Sequence, residues 1–169
     1  QLTSLPENAF SNARNLKEIE LDDNPLENIP GSVFQGLTSL ITLDLINCQI
    51  RDVNPSWFVN MPLLDSLNLA GNSIRTLPDG LFSMNHNLAR LVLLGNQIQL
   101  IQAEAFGNLS SLYVIYATSN QIIAIDPALV DGVNYFSFHL DDNICVDEYL
   151  YINDNTRPEV RAALAACFA

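Results

Sequence analysis

The sequence predicts an α/β-type solenoid, with a parallel β-sheet built one strand per turn, a mostly irregular opposite side, and a helix closing the C-terminal end. Three observations predict it. Phe10, Phe34, Phe58, Phe82 and Phe106 recur every 24 residues without slippage. The same interval links Asn24, Cys48, Asn72, Asn96 and Asn120, and a final step of 23 reaches Asn143. A short stretch of alternating apolar residues precedes each of these positions, which is the pattern of a half-buried strand.

The repeats read as one template. The first runs Leu16, Ile19, Leu21, Asn24, Leu26, the second Leu40, Leu43, Leu45, Cys48, Ile50, and the third Leu64, Leu67, Leu69, Asn72, Ile74. The fourth is Leu88, Leu91, Leu93, Asn96, Ile98, and the fifth Leu112, Ile115, Ala117, Asn120, Ile122. The sixth, Tyr135, Phe138, Leu140, Asn143, Cys145, is degenerate, as a terminal repeat is expected to be. Six parallel strands follow. Each Asn sits where the chain must turn, and its amide can both donate to and accept from backbone groups that the turn leaves unpaired. Cys48 stands in the Asn position of the second repeat and reads as a buried, unreactive thiol. The Phe column reads as a core spine on the side away from the strands.

On these repeats, and on the segments Leu5-Pro6 to Phe10 and Leu77-Pro78 to Phe82, the chain resembles the leucine-rich-repeat family in its 24-residue typical class, over residues 1–145. It is similar to Toll-like receptor ectodomains and to secreted arthropod innate-immune proteins of that family. The resemblance implies a right-handed horseshoe with its parallel sheet on the concave face. It also implies an extracellular recognition module of innate immunity that binds a protein partner, either secreted or as the ectodomain of an anchored receptor. The alternative is a structural, adhesion or matrix protein assembling as a homodimer.

The organisation follows: a solenoid over residues 1–144, then a cap over 145–169 with a helix at about 157–168. Thr156 can cap that helix, Glu159 can bond back to it, and Pro158 is tolerated in the first turn. Val160, Leu164 and Cys167 form its apolar face, so Cys167 points at the body of the protein. Cys48 lies four repeats from Cys145, about 19 Å at strand spacing, too far for a disulfide, and geometry favours Cys145–Cys167. Such a bond persists outside the cytosol. Here the cap departs from the family's usual four-cysteine module. Residues 1–15 read as the back half of a repeat whose strand is absent, so either a longer natural chain precedes them, which is the preferred expectation, or this open edge pairs with something. Asn108-Leu109-Ser110 is an acceptor tripeptide for glycosylation at Asn108.

Composition narrows the partners. Seven Lys plus Arg against nineteen Asp plus Glu leave a formal charge of -12, which opposes phosphate backbones and anionic lipid. Neither nucleic acid nor membrane insertion is expected, and no apolar run approaches the roughly 20 residues of a spanning helix. His86 and His139 fall on different faces, no Ser-His-Asp, Cys-His or zinc spacing emerges, and no glycine-rich phosphate loop is present. The chain is therefore not expected to be an enzyme or to carry a cofactor or metal.

The candidate site is the outward face of the sheet. Its middle column runs Glu20, Asp44, Asn68, Val92, Tyr116, His139, flanked by Glu18, Thr42, Ser66, Arg90, Val114, Ser137 and by Asp22, Ile46, Ala70, Leu94, Thr118, Asp141. Acidic early repeats give way to apolar late ones. Arg90, Val92, Leu94, Tyr113, Val114, Tyr116 and His139 are the expected protein-binding residues, an aliphatic and Tyr patch with a polar rim. The cap either leaves Phe136 in that patch or folds over it.

Overall fold

The computed structural model describes residues 1–168 except 27, 109, 132 and 134, together with the backbone but not the side chain of Phe168. Six parallel strands stand side by side: β1 (Glu18–Glu20), β2 (Thr42–Asp44), β3 (Ser66–Asn68), β4 (Arg90–Val92), β6 (Val114–Tyr116) and β8 (Phe136–His139). Each pairs with the strand one repeat on, so Ile19 faces Leu43, Leu43 faces Leu67, Leu67 faces Leu91, Leu91 faces Ile115, and Ile115 faces Phe138. These central residues are buried, as period-two strands with one face on a core require. A second, two-stranded parallel sheet joins β5 (Leu100–Ile101) to β7 (Ala124–Ile125), and single 3₁₀ turns occupy Pro55–Trp57, Ala103–Ala105 and Pro127–Val130. The side away from the main sheet is otherwise irregular.

One backbone conformation recurs where each strand ends. Asp23, Asn47, Gly71, Gly95, Ser119 and Asp142 all have φ between 55° and 66°. The first five of these amides each donate to a carbonyl of the next repeat, at Ile46, Ala70, Leu94, Thr118 and Asp141. Asp, Asn and Gly are the residues that accept this left-handed geometry at least cost. At Gly71 there is a second reason, because a Cβ would lie 1.9 Å from Asn47 Oδ1.

One residue later the Asn ladder does what its spacing predicts. Asn72 Oδ1 accepts from the Cys48 and Ile50 amides, each at 3.0 Å, and its Nδ2 donates to the carbonyls of Leu45 and Leu69 at 2.8 and 2.9 Å. Asn96, Asn120 and Asn143 repeat the arrangement, each donating to its own and the preceding repeat. Cys48 is buried and free, and its Sγ donates to Leu21 O at 3.1 Å. Burial, then the charges of Asp22 and Asp23, push its thiol pKa up, so it stays protonated. Where Asn72 supplies an acceptor to Ile50, the thiol supplies none to Leu26, whose amide instead meets the carbonyls of Asn24 and Cys48.

The Phe column is the interior spine. Phe10 and Phe34 stack at 6.0 Å, Trp57 inserts edge-on between Phe34 and Phe58 at 6.2 Å from each, and Phe82 sits 5.5 Å from Phe58 and 5.8 Å from Phe106. Such pairs add about 0.5–1.5 kcal/mol each beyond the area they bury.

The cap holds one element that the sequence reading did not contain. β9 (Tyr149–Ile152) pairs antiparallel with β8 and becomes the seventh strand of the main sheet. Tyr149 and Tyr151 are exposed while Leu150 and Ile152 are buried, so the Tyr-Leu-Tyr-Ile alternation was the available signal. α1 (Arg157–Phe168) follows and lies against Pro127–Val130, β7 and β9. Val160 and Leu164 are buried and Cys167 packs against the core. Cys145 and Cys167 form the disulfide, with Cα atoms 5.8 Å apart. The helix start differs in detail from expectation. Thr156 Oγ1 donates to Tyr151 O at 2.7 Å and accepts from the Asn153 amide at 3.0 Å, while Asn153 Oδ1 accepts the amides of Asn155 and Thr156. Glu159 reaches Thr156 through its backbone amide, at 3.1 Å. The turn is thus closed around Asn153, because the Thr156 hydroxyl is already committed to β9. Two arginines fasten the helix to the last 3₁₀ turn, Arg157 to Val130 O and Arg161 to Pro127 O and the Asp131 carboxylate.

Candidate protein-binding face

The outward residues of β1 and β2 are acidic. Glu18 and Glu20 are exposed, and Asp44 sits opposite Glu20. Partial burial, followed by the neighbouring charges of Asp22, Glu20 and Glu18, raises the Asp44 carboxyl pKa above the usual carboxylate range, and Arg90 opposes the rise. Two of the acids have structural work: Asp22 Oδ1 accepts the Ile46 amide at 2.9 Å and Asp23 Oδ1 accepts from Asn47 Nδ2 at 2.9 Å.

On the later strands the face becomes aromatic, and its side chains touch in a row. The Arg90 guanidinium lies 5.4 Å from the Tyr116 ring centre. Tyr116 stacks on His139 at 4.5 Å with ring planes 23° apart, and His139 meets Tyr149 at 4.7 Å and 54°. Tyr149 shares a hydrogen bond with Ser137 at 3.2 Å through the two hydroxyls. Four adjacent strands, β4, β6, β8 and β9, therefore contribute one side chain each to a continuous cation–aromatic row. Register places Tyr116, His139 and Tyr149 side by side, whereas Arg90 faces Val114, two residues before Tyr116, and joins the row through its long side chain. Ring faces that stack on one another are not free to stack on a ligand. Tyr116 and His139 thus offer edges and polar tips, held in place before any partner arrives.

Each residue expected in the site can be placed against this row. Arg90, Tyr116 and His139 lie in it. Leu94 and Tyr113 are exposed, at 42% and 54%. Val92 and Val114 point outward by strand alternation but are only 7% and 4% exposed. The expected aliphatic patch is accordingly smaller, because neighbouring side chains already cover both valines. Phe136 is buried and packs edge-on to Phe138 at 5.5 Å, which assigns it to packing. Tyr149 and Tyr151 were missed with the strand that carries them. Asn108 is exposed, and its carbonyl is 3.4 Å from His86 Nδ1. Among the described residues no group of three or more His, Cys, Asp or Glu could hold a metal ion, and no helix is long and apolar enough to cross a membrane.

A stacked parallel sheet with an asparagine ladder and a phenylalanine spine defines a repeat solenoid. The leucine-rich-repeat family model matches residues 1–50, 14–74 and 66–122, and the chain belongs to that family. No curated protein sequence matches it. Among solved structures, it is similar to the Toll–Spatzle complex of Drosophila development and innate immunity, with a TM-score of 0.77 and 28% identity over 84% of this chain and 19% of that one. It is also similar to the chain of the TLR13–ssRNA13 complex, with a TM-score of 0.72 and 27% identity over 82% of this chain and 20% of the other. The leucine-rich-repeat domain of APL1 shares the fold, with a TM-score of 0.73 at 24% identity over 84% of this chain and 37% of that domain. The chain thus spans about a fifth of the Toll and TLR13 chains.

Proposed function

We propose that this chain is an extracellular recognition module of innate immunity that acts by binding a protein and carries out no catalysis. The face it uses is the outward side of the late strands, through Arg90, Tyr116 and His139 with Leu94, Tyr113 and Tyr149 around them. The observation that carries this reading is the row itself: Arg and Tyr are the side chains most often found as interface anchors, and here they are fixed in advance. Val92 and Val114 lie on the same face, in register with Tyr116 and Arg90 respectively. The Cys145–Cys167 disulfide fits an oxidising compartment, and exposed Asn108 would carry a glycan there. A mass loss on treatment with peptide N-glycosidase, abolished by Asn108→Gln, tests that last point.

Toll is seen with the protein Spatzle and TLR13 with single-stranded RNA. A charge of -12 favours the first kind of partner over the second. The deciding experiment is affinity capture from the native extracellular fluid with wild type and an Arg90→Glu/Tyr116→Ala variant, alongside a single-stranded RNA probe. A protein captured by wild type and lost with the folded variant supports the proposal. Capture of the chain's own copies alone would favour the adhesion or matrix reading, and salt-sensitive RNA binding would overturn the choice of partner.

A further inference from the structure

The edge of the main sheet at β9 is a different surface from the face, and its hydrogen bonding can be traced. β8 directs Ser137 and His139 at β6: the Ser137 amide donates to Tyr113 O at 2.8 Å, and the His139 carbonyl accepts from the Ala117 amide at 2.9 Å. Its alternate residues face β9, where the Leu140 amide donates to Glu148 O at 3.1 Å and Phe138 and Phe136 oppose Leu150 and Ile152. In an antiparallel ladder this arrangement consumes the main-chain groups of Leu150 and Ile152 and turns those of Tyr149 and Tyr151 away from the sheet. The Tyr151 carbonyl accepts from Thr156 Oγ1. Among the described residues, no hydrogen bond reaches the Tyr149 amide, the Tyr149 carbonyl or the Tyr151 amide.

Sheet edges of this kind are usually blunted by Lys, by Pro or by a bulge. β9 reads Tyr-Leu-Tyr-Ile and has none of these, and both tyrosines are exposed. The row Arg90–Tyr116–His139–Tyr149 runs toward this edge. Arg90 covers its inner end, whereas the outer end is the face of Tyr149 turned away from His139. The flanking charges are Asp147, Glu148 and Asp154, of which Asp154 is paired with Arg157 at 3.6 Å, so those unopposed by a cation among the described residues are Asp147 and Glu148 at the start of the strand.

From these observations we infer that β9 is a strand-addition site that takes an extended, basic polypeptide segment from a partner protein. The incoming strand pairs with the Tyr149 amide and carbonyl and the Tyr151 amide, and places a guanidinium or ammonium on the open face of Tyr149, repeating at this end what Arg90 does at the other. Backbone pairing supplies the attachment, and the acidic flanks with the Tyr149 ring select the sign of charge. A second copy is the wrong occupant on charge grounds, since each chain carries -12 and β9 with its flanks is itself acidic. The edge site does not depend on the proposed role of Arg90 and Tyr116 in face binding.

Tyr151→Pro provides the test, because its amide points outward and proline there removes a donor to the incoming strand without removing a rung to β8. Tyr151→Val is the control that removes the ring and keeps the amide. The probes are a ten-residue peptide alternating Arg with Val, its Glu counterpart, and the Arg peptide N-methylated at alternate amides on the pairing edge. Binding to the intact chain is followed by calorimetry, with folding checked by circular dichroism. The Arg peptide is expected to bind, the Glu peptide not, and Tyr151→Pro and N-methylation each to weaken binding about tenfold while Tyr151→Val stays within about threefold. Equal binding of the N-methylated peptide, or none by the Arg peptide, overturns the inference, and N-methylation decides even where Tyr151→Pro does not fold. A dimer of the chain that Tyr151→Pro abolishes overturns it in favour of a second copy. An unchanged result for Arg90→Glu/Tyr116→Ala separates the edge from the face.

Discussion

The repeat body and the cap are held together differently. In the body every important contact recurs: Asn72, Asn96 and Asn120 make the same bonds one turn apart, and Phe58, Phe82 and Phe106 follow one another along the spine. In the cap each contact occurs once and ties together residues distant in sequence. Cys145 joins Cys167, and Arg161 reaches Asp131 and Pro127 across 30 and 34 residues. A recurring contact can be weak singly because its neighbours repeat it. A contact that occurs once has no substitute, and the cap therefore uses a covalent bond where the body uses amides.

The largest test of this contrast lies in the body. Phe82→Ala removes a fully buried ring between Phe58 and Phe106 and is expected to cost about 4 kcal/mol, with one cooperative transition in urea. Separate unfolding of the two flanking halves would show that the spine is not continuous. Next, Cys145→Ser/Cys167→Ser is expected to cost about 3 kcal/mol in the chain-entropy account. Here the loss should be local, so hydrogen exchange would quicken in α1 and β9 well before β1–β3. Uniform acceleration along the chain would contradict the distinction between body and cap.

Smaller effects sharpen the picture of the body. Cys48→Asn restores the ladder's amide, with an acceptor toward the first repeat, and is expected to add about 1 kcal/mol to stability by denaturant titration. No gain would mean that the carbonyls of Asn24 and Cys48 already satisfy Leu26 fully. Smallest is Asp44→Asn. Because the folded carboxyl titrates above its unfolded value, the folded state holds its proton to higher pH, and stability falls as pH rises through that interval. The variant should therefore melt higher than wild type at pH 7, with the gap closing as pH drops below the ordinary carboxylate range. A constant gap would assign the effect to packing.

The body was legible in the sequence because its code is redundant. Five phenylalanines at one interval fix the register, and one departure, Cys48, is absorbed by the pattern around it. α1 and the Cys145–Cys167 pair were legible for a different reason, since an apolar face at steps of four and three and a distance argument leave little choice. β9 was overlooked because four residues outside the repeat carry only a brief alternating signal, and nothing local reveals that the chain reverses to pair antiparallel with β8. Strand alternation gives the direction of Val92 and Val114, but whether an outward residue meets solvent depends on the bulk of side chains on neighbouring strands. Contact between Tyr116 and His139 could be inferred from their shared column, whereas Tyr149 could not be added without β9.

The asparagine ladder also bears on how such a chain can change length. Each ladder amide spends its hydrogens partly on its own turn and partly on the preceding one, so a joint made by Asn96 is chemically the same as a joint made by Asn72. Deleting or duplicating one complete 24-residue turn would bring equivalent donors and acceptors face to face again. A deletion a few residues shorter would misalign every rung downstream. Gene duplication in whole turns is thus the mutation this architecture forgives, and the span of the outer face can lengthen or shorten without redesign of its interior.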